Sequence, residues 1–247
     1  MVSAVLNVSS YKFVSLDDPA QWRESIRLRA QACALKGTVL LAGEGINLFL
    51  AGNTDSLRGF VGWLRGHREF SDLDAKESWS IDEPFRRLIV KVKAEIIRMN
   101  CPTIRPQTQR APAVDAPTLA RWLDAGHDDT GRPVVMLDTR NAFEVRHGRF
   151  RGALDWDLSR FSDFPQALQR RRSELDGKTV VSYCTGGIRC EKAALLMAEA
   201  GVDNVMQLDG GILRYFEQAA GKHFDGLCFV FDQRESLDVT LAPAQTV

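Results

Sequence analysis

The sequence has no cysteine framework. Its five cysteines, at 33, 101, 184, 190 and 228, are odd in number and include no Cys-x-x-Cys pair. That excludes a disulfide scaffold and a finger-type zinc site, and it fits a reducing compartment in which a reactive thiol stays usable. The four histidines, at 67, 127, 147 and 223, show no ligand spacing, so no metal is assigned; only His147 falls close to a motif. No apolar run approaches the roughly 20 residues of a membrane span. The opening MVSAVLNVSSYKF has no basic region followed by an uninterrupted hydrophobic one, so neither a signal peptide nor membrane attachment is expected, and the expected location is the cytoplasm. Net charge is absent too, with 32 basic against 32 acidic residues. A polyanion would have to be met by local basic patches rather than by a global field. There is no internal repeat, no low-complexity segment, and no flavin, NAD or iron motif.

What is present is an ordinary globular composition, 45% hydrophobic and 26% charged over 247 residues, a length comfortable for two small domains. Residues 1–99 read as the first. A strand over 5–14 is followed by Asp18 as N-cap and Pro19 at the first helical position, opening a helix whose Trp22, Ile26, Ala30 and Cys33 share one face. Apolar runs over 38–41 and 46–50 flank Gly43-Glu44-Gly45 as a hairpin, Thr54 caps a second helix ending at Gly66, and strands near 75–79 and 88–92 close the unit. The order β-α-β-β-α-β is that of a ferredoxin-like α+β sandwich.

Residues 100–117 carry Pro102, Pro106, Pro112 and Pro117, four of the nine prolines, and read as a semi-rigid linker. Residues 118–225 read as the second domain, in which buried-type strands over 134–137, 179–183 and 205–208 with helical patterns between or after them predict a parallel α/β sheet. Residues 226–247 remain as a C-terminal tail.

The chemistry concentrates in TVVSYCTGGIRCEKAALLMAEA, 179–200. A short apolar run ends at Cys184, a tight loop follows, and an amphipathic helix begins near Cys190. Gly186 and Gly187 permit backbone dihedrals that turn successive N–H groups toward the Cys184 sulfur. The positive end of the helix points at the same place and Arg189 adds a full charge, so the thiolate is favoured over the thiol. Cys184 is therefore the candidate nucleophile, within the loop Thr185, Gly186, Gly187, Ile188 and Arg189. It stands at a strand's C-terminal end, where open α/β sheets bind ligands. Asp138, Arg140 and Glu144, which follow another strand, are candidates to orient this loop by charge-assisted hydrogen bonds, or to form a structural ion-pair network. Cys190 reads as a buried small hydrophobe or a resolving thiol.

Cys184-Thr-Gly-Gly-Ile-Arg189, with LDTRNAFEV at 137–145 and LDGGILRYF at 208–216, resembles the rhodanese fold. In that family the loop cysteine carries sulfur as a persulfide, whereas the related cysteine phosphatases have one more residue between cysteine and arginine than the four found here. When KGTVLLAGEGINLFLAG at 36–52 and RRLIVKVKAEII at 86–97 are included, nearly the whole chain resembles the bacterial tRNA uridine(34) hydroxylase family. The resemblance implies a tRNA-modifying oxidoreductase that converts the wobble uridine to 5-hydroxyuridine with molecular oxygen as co-substrate. Its partner would be the anticodon loop of tRNA. It identifies no electron donor and no oligomeric state. Many members continue past a segment like CFVFDQR, 228–234, into a cysteine-rich tail, and here the sequence ends at Val247. The alternative, which the loop chemistry alone supports better, is a sulfurtransferase carrying a Cys184 persulfide; a non-catalytic binding module has no need of an intact Cys184 and Arg189.

Two basic stretches are candidates to meet RNA phosphates. Residues 81–110 hold seven Arg or Lys against three Asp or Glu, including Arg86 and Arg87. Residues 145–172 hold seven arginines against three aspartates, ending in Arg170, Arg171 and Arg172. Phe161 and Phe164 are the aromatics nearby that either stack on a base or pack in the core.

Overall fold

The computed structural model describes residues 4–244. The outer ends of the first-domain and tail segments, 1–3 and 245–247, lie outside the described residues. The chain divides into two compact units, 1–98 with 231–235, and 99–230 with 236–247.

The first unit runs β1 (Val5–Phe13), α1 (Pro19–Ala32), β2 (Lys36–Ala42), β3 (Gly45–Gly52), α2 (Thr54–Arg65), β4 (Ala75–Ser80) and β5 (Leu88–Val92). Its sheet order is β4-β1-β3-β2-β5. The first four strands pair antiparallel in the arrangement a β-α-β-β-α-β chain adopts. The fifth lies parallel to β2 and adds an edge that this chain order alone does not require. Asp18 caps α1, its carboxylate accepting from the N–H groups of Ala20 at 3.0 Å and Gln21 at 2.9 Å, with Pro19 in the first turn. Ile26 and Ala30 are buried in the core, while Trp22 and Cys33 pack at its margin. The cap of α2 is Asn53 rather than Thr54. The Asn53 side chain takes the N–H groups of Asp55 at 3.0 Å and Ser56 at 3.3 Å, leaving Thr54 as the first helical residue. Leu57, Phe60, Val61 and Leu64 of α2 share one core cluster with Leu6, Val8, Leu41 and Leu48 of the sheet. Each fully buried side chain of this size stabilises by roughly 1.5–3 kcal/mol.

The second unit contains β6 (Ala113–Val114), α3 (Ala116–Ala125), β7 (Val134–Asp138), α4 (Ala142–Val145), β8 (Gly148–Phe150), β9 (Leu154–Asp155), α5 (Phe164–Arg171), β10 (Thr179–Tyr183), α6 (Ile188–Glu199), β11 (Val205–Leu208), α7 (Gly211–Ala219), β12 (Phe224–Gly226) and β13 (Cys228–Phe229). The order β6-β11-β10-β7-β9 makes a five-stranded sheet in which every pairing is parallel. β6 and the first turn of α3 fall inside the proline-containing segment 100–117, so that segment supplies an edge strand to the second sheet. β10 is central and buried at every position, as a strand covered on both faces must be. Phe161 and Phe164 are core residues, 5% and 0% exposed, with Phe164 stacked on Trp156; neither is a platform for a base.

Candidate functional site

Cys184 follows the last residue of β10, at the carboxyl edge of the sheet. Three sets of backbone hydrogen bonds pin its surroundings. Thr139, just beyond β7, donates to Tyr183 O from its amide at 3.0 Å and from its hydroxyl at 2.9 Å. The first amides of α7 close on the loop carbonyls, Ile212 N to Cys184 O at 3.0 Å and Leu213 N to Thr185 O at 3.1 Å. On the other side Gly187 N donates to Cys184 Sγ at 3.1 Å. The loop thus offers its amides to the sulfur while its carbonyls are turned away and consumed, a polarity suited to an anion.

Only one of the two loop glycines has the conformation expected of both. Gly187 sits at φ 101°, whereas Gly186 is not in the left-handed region. A second glycine matters more than the sequence reading indicated. Gly211, at φ 67°, opens α7 so close to the loop that a Cβ there would lie 2.4 Å from Cys184 O and 2.7 Å from Gly187 N. The Gly210-Gly211 pair ahead of a helix was its only visible signal. Helix α6 starts at Ile188 rather than near Cys190, which places the Arg189 amide in the first turn, where amides lack helical acceptors.

Arg189 is buried, and its guanidinium holds Glu144 in a bidentate pair, 2.5 Å and 2.7 Å. Glu144 is fully buried and also accepts from the Asn141 amide at 3.0 Å, so the capping box of α4 fixes the carboxylate that fixes the arginine. Asp138 and Arg140 are not part of this set. Arg140 Nε and Nη2 reach the Asp138 carboxylate at 2.9 Å and 2.6 Å, and Nη2 also donates to Gly148 O at 2.7 Å. Their charges are spent on each other and on fastening β7 to β8. Of the three acidic and basic residues assigned to orienting the loop, Glu144 makes the bond to Arg189.

Burial alone would raise the Cys184 thiol. The hydrogen bond from Cys190, the charge of Arg189 and the backbone N–H groups of Arg189 and Gly187 outweigh it and hold the thiol well below its ordinary range, at about 5. Cys190 is displaced upward, first by burial and then by the Cys184 thiolate beside it, and its sulfur lies 3.7 Å from Thr139 Oγ1. Cys228, buried on β13, is raised to about 12, chiefly by burial. The three buried cysteines therefore differ: Cys184 is held low while Cys190 and Cys228 are pushed up. Of the six residues 184–189, five are buried and only Gly186 is half-exposed. His147 donates to or accepts from Ser236 Oγ at 2.8 Å and packs beside Phe229. Among the described residues no group of three His, Cys, Asp or Glu could hold a metal ion, and no helix is long and apolar enough to cross a membrane.

The basic residues divide similarly. Arg86 and Arg87 are exposed ahead of β5. Arg170 is exposed, but Arg171 pairs with Glu174 at 2.8 Å and Arg172 donates to Gly201 O at 2.5 Å. Two of the three consecutive arginines thus hold the end of α5 in place.

Comparison with known proteins agrees with both halves of the architecture. Residues 5–96 match the family described as UPF0176 acylphosphatase like domain, and residues 116–218 match the rhodanese-like domain. A protein of Bordetella pertussis named tRNA uridine(34) hydroxylase is 62% identical over 242 residues, covering 98% of this chain and 99% of its own. One of the same name from Variovorax paradoxus is 60% identical over 233 residues, 94% of this chain and 89% of its own. The chain belongs to the tRNA uridine(34) hydroxylase family. In this member the thiolate loop, its buried arginine and the carboxylate behind it all lie in the rhodanese-like part, and the ferredoxin-like sandwich corresponds to the acylphosphatase-like part.

Proposed function

We propose that this chain hydroxylates C5 of the wobble uridine of tRNA in the cytoplasm, with molecular oxygen as co-substrate and Cys184 as the reacting residue. The 60–62% identity over nearly the whole chain to proteins named tRNA uridine(34) hydroxylase carries the hydroxylation of uridine 34, and the depressed Cys184 thiol supports the choice of residue. Uracil C5 is a poor nucleophile until C6 is attacked. Addition of the Cys184 thiolate to C6 places enolate character across C5 and O4. The developing charge would be met by Arg189 and by the loop amides. An oxygen-derived electrophile then takes the C5 electron pair; loss of the C5 proton and expulsion of the thiolate restore the ring and free Cys184. The net reaction adds one oxygen atom to C5, and two electrons with two protons from an external donor reduce the other to water. Because Cys184 is fully buried, the wobble base must be extruded and the loop must open at Gly186 for the two to meet.

Nucleoside analysis of tRNA from a deletion strain, complemented with wild type or with Cys184→Ser, tests this reading. Serine keeps the shape of the site and loses the thiolate. We expect 5-hydroxyuridine to be absent in the deletion strain, restored by wild type and not by Cys184→Ser. The same thiolate cradle favours a second reading, a sulfurtransferase carrying a Cys184 persulfide. Normal hydroxylation by Cys184→Ser, together with brisk thiosulfate sulfur transfer by wild type, would establish that reading instead.

A further inference from the structure

The first unit holds a basic cleft that the cysteine chemistry leaves unused. It has a volume of about 360 Å³ and runs between α1 and the edge strand β5. Arg23, Arg27 and Gln31 of α1 line one wall, and Arg87 through Lys91 line the other. Four basic residues line it, Arg27 of them paired with Glu24, and among the described residues no acidic residue lines it, in a protein whose net charge is zero.

The arrangement follows from the elements. Arg23 and Arg27 are four residues apart on a helix and so occupy one face, about 5–6 Å apart at Cβ. Arg87, Ile89 and Lys91 alternate with the buried Val90 and project to the opposite side of the strand. Arg87 and Lys91 are separated by about 13 Å of strand, enough to follow more than one phosphate of a nucleic-acid strand. Among the described residues β5 pairs with β2 alone. Gly37 N bonds to Arg87 O and Lys93 N bonds to Leu41 O, so the odd-numbered residues of β5 turn their amide groups toward β2. The alternation directs the amides of Leu88 and Val90 to the open edge, where Val90 O already accepts from Arg23 Nε at 3.2 Å. That bond holds Arg23 across the rim of the cleft. Arg27 is held by Glu24, which takes Nε at 3.1 Å and Nη2 at 2.5 Å, and by Gln31, at 2.8 Å from Nη1. Outward N–H groups of an edge strand, two guanidinium forks positioned by their own contacts, and the exposed Arg87 and Lys91 are all hydrogen-bond donors. The half-buried apolar side chain of Ile89 lies between Arg87 and Lys91. Donors of this kind match phosphate oxygens, and an apolar strip between them matches sugar faces.

We propose that the α1–β5 cleft binds the sugar-phosphate backbone of tRNA through Arg23, Arg27, Arg87 and Lys91. This rests on tRNA being the substrate. The contact is to backbone and not to base edges, so it supplies affinity and register rather than choice of sequence.

The test is binding of transcribed tRNA to the full chain, followed by fluorescence anisotropy between about 50 and 200 mM salt. The variants are Arg87→Gln/Lys91→Gln in the strand, Arg23→Gln/Arg27→Gln in the helix, and Arg29→Gln as a control on an exposed position of α1 outside the cleft. Each cleft pair should weaken binding about tenfold at the lower salt and reduce the slope of log affinity against log salt by about 1.5, the loss of two phosphate contacts. Arg29→Gln should stay within about twofold of wild type. Thermal melts identical to wild type for the strand pair, whose side chains are exposed, ensure that the loss is not one of folding. Wild-type affinity and slope in both cleft pairs, or an equal loss in Arg29→Gln, would overturn the assignment of the cleft while leaving the tRNA reading intact. A wild-type protein that fails to bind tRNA would overturn both.

Discussion

The Cys184 thiolate can be measured directly, and the structure sets both its midpoint and the change expected when one donor is removed. An ordinary cysteine with pKa near 8.5 is only a few per cent thiolate at neutral pH, whereas a thiol held at about 5 is almost wholly ionised there. The alkylation rate of Cys184 should therefore be flat above about pH 6 and fall about tenfold per pH unit below the midpoint. A free peptide cysteine labelled alongside should still be rising at pH 8. Complete burial of Cys184 does not spoil the comparison, because a loop-opening step multiplies the whole curve and leaves its midpoint in place. Cys190→Ala removes one hydrogen-bond donor from a charged acceptor, a contribution of about 1.5–3 kcal/mol. At 1.36 kcal/mol per unit that raises the Cys184 midpoint by about one to two units, to about 6–7. Cys190→Ser, which keeps an O–H donor in the same place, should restore most of the difference. The assay is iodoacetamide labelling across about pH 4–9 with peptide mapping of each cysteine. A wild-type Cys184 titrating in the ordinary thiol range would refute the cradle, and an unmoved midpoint in Cys190→Ala would refute the role of the neighbouring thiol.

Gly211→Ala should disable the site without touching a charged residue: its Cβ would meet Cys184 O at 2.4 Å at a left-handed φ. The cost from overpacking is about 1–3 kcal/mol, and the variant should show a lowered Tm together with loss of the low-pH labelling of Cys184. Glu144→Gln leaves the Arg189 guanidinium buried without its counter-charge, a loss of about 3–5 kcal/mol in denaturant unfolding. Glu144→Gln/Arg189→Met should recover most of that stability but not the depressed Cys184 midpoint, which separates folding from activation. Asp128 is held well below the usual carboxylate range, first by the Thr179 hydroxyl at 2.5 Å and then by the Thr130 hydroxyl and the amides of Arg132 and Thr130. A group lowered in the folded state stabilises it above the unfolded pKa, and that contribution is lost as pH falls toward the folded value. Thr179→Val should therefore move acid unfolding, followed by circular dichroism, to higher pH.

How much of this was legible in the sequence depends on whether a residue's role is local or assembled. The strand-loop-helix around Cys184 is local: an apolar run, glycines and an amphipathic pattern are adjacent in the chain, and β10 and α6 fall within a residue or two of expectation. The same holds for Asp18 with Pro19, where the cap and the fixed φ stand side by side. Asn53 displaced Thr54 because both are good caps and only the backbone of residue 53, extended at φ −60° and ψ 141°, decides which oxygen reaches the next amides. The role of Arg170, Arg171 and Arg172 was hidden for a different reason. Charge spacing along one helix says nothing of Glu174 and Gly201, which take two of the three.

The selectivity of the site is the most assembled feature of all. Arg140 and Arg189 each follow a strand end, each is buried and each has a carboxylate partner, and sequence offers no way to tell them apart. In the fold Arg140 closes on Asp138 two residues away and on Gly148 O, so its charge is consumed where it arises. Arg189 takes Glu144 from forty-five residues earlier, and that partner is itself fixed by the Asn141 amide, which leaves the guanidinium beside Cys184 instead of withdrawn from it. The distinction decides what the loop can do. An arginine turned away from the loop would leave the buried thiol with only Cys190 and two amides against the cost of desolvation, and its pKa would lie higher than with Arg189 beside it. An arginine fastened beside the sulfur adds its charge to the Cys190 hydrogen bond and the loop amides that hold the thiol low. The chemistry of the loop therefore depends on α4 as much as on the residues between Cys184 and Arg189.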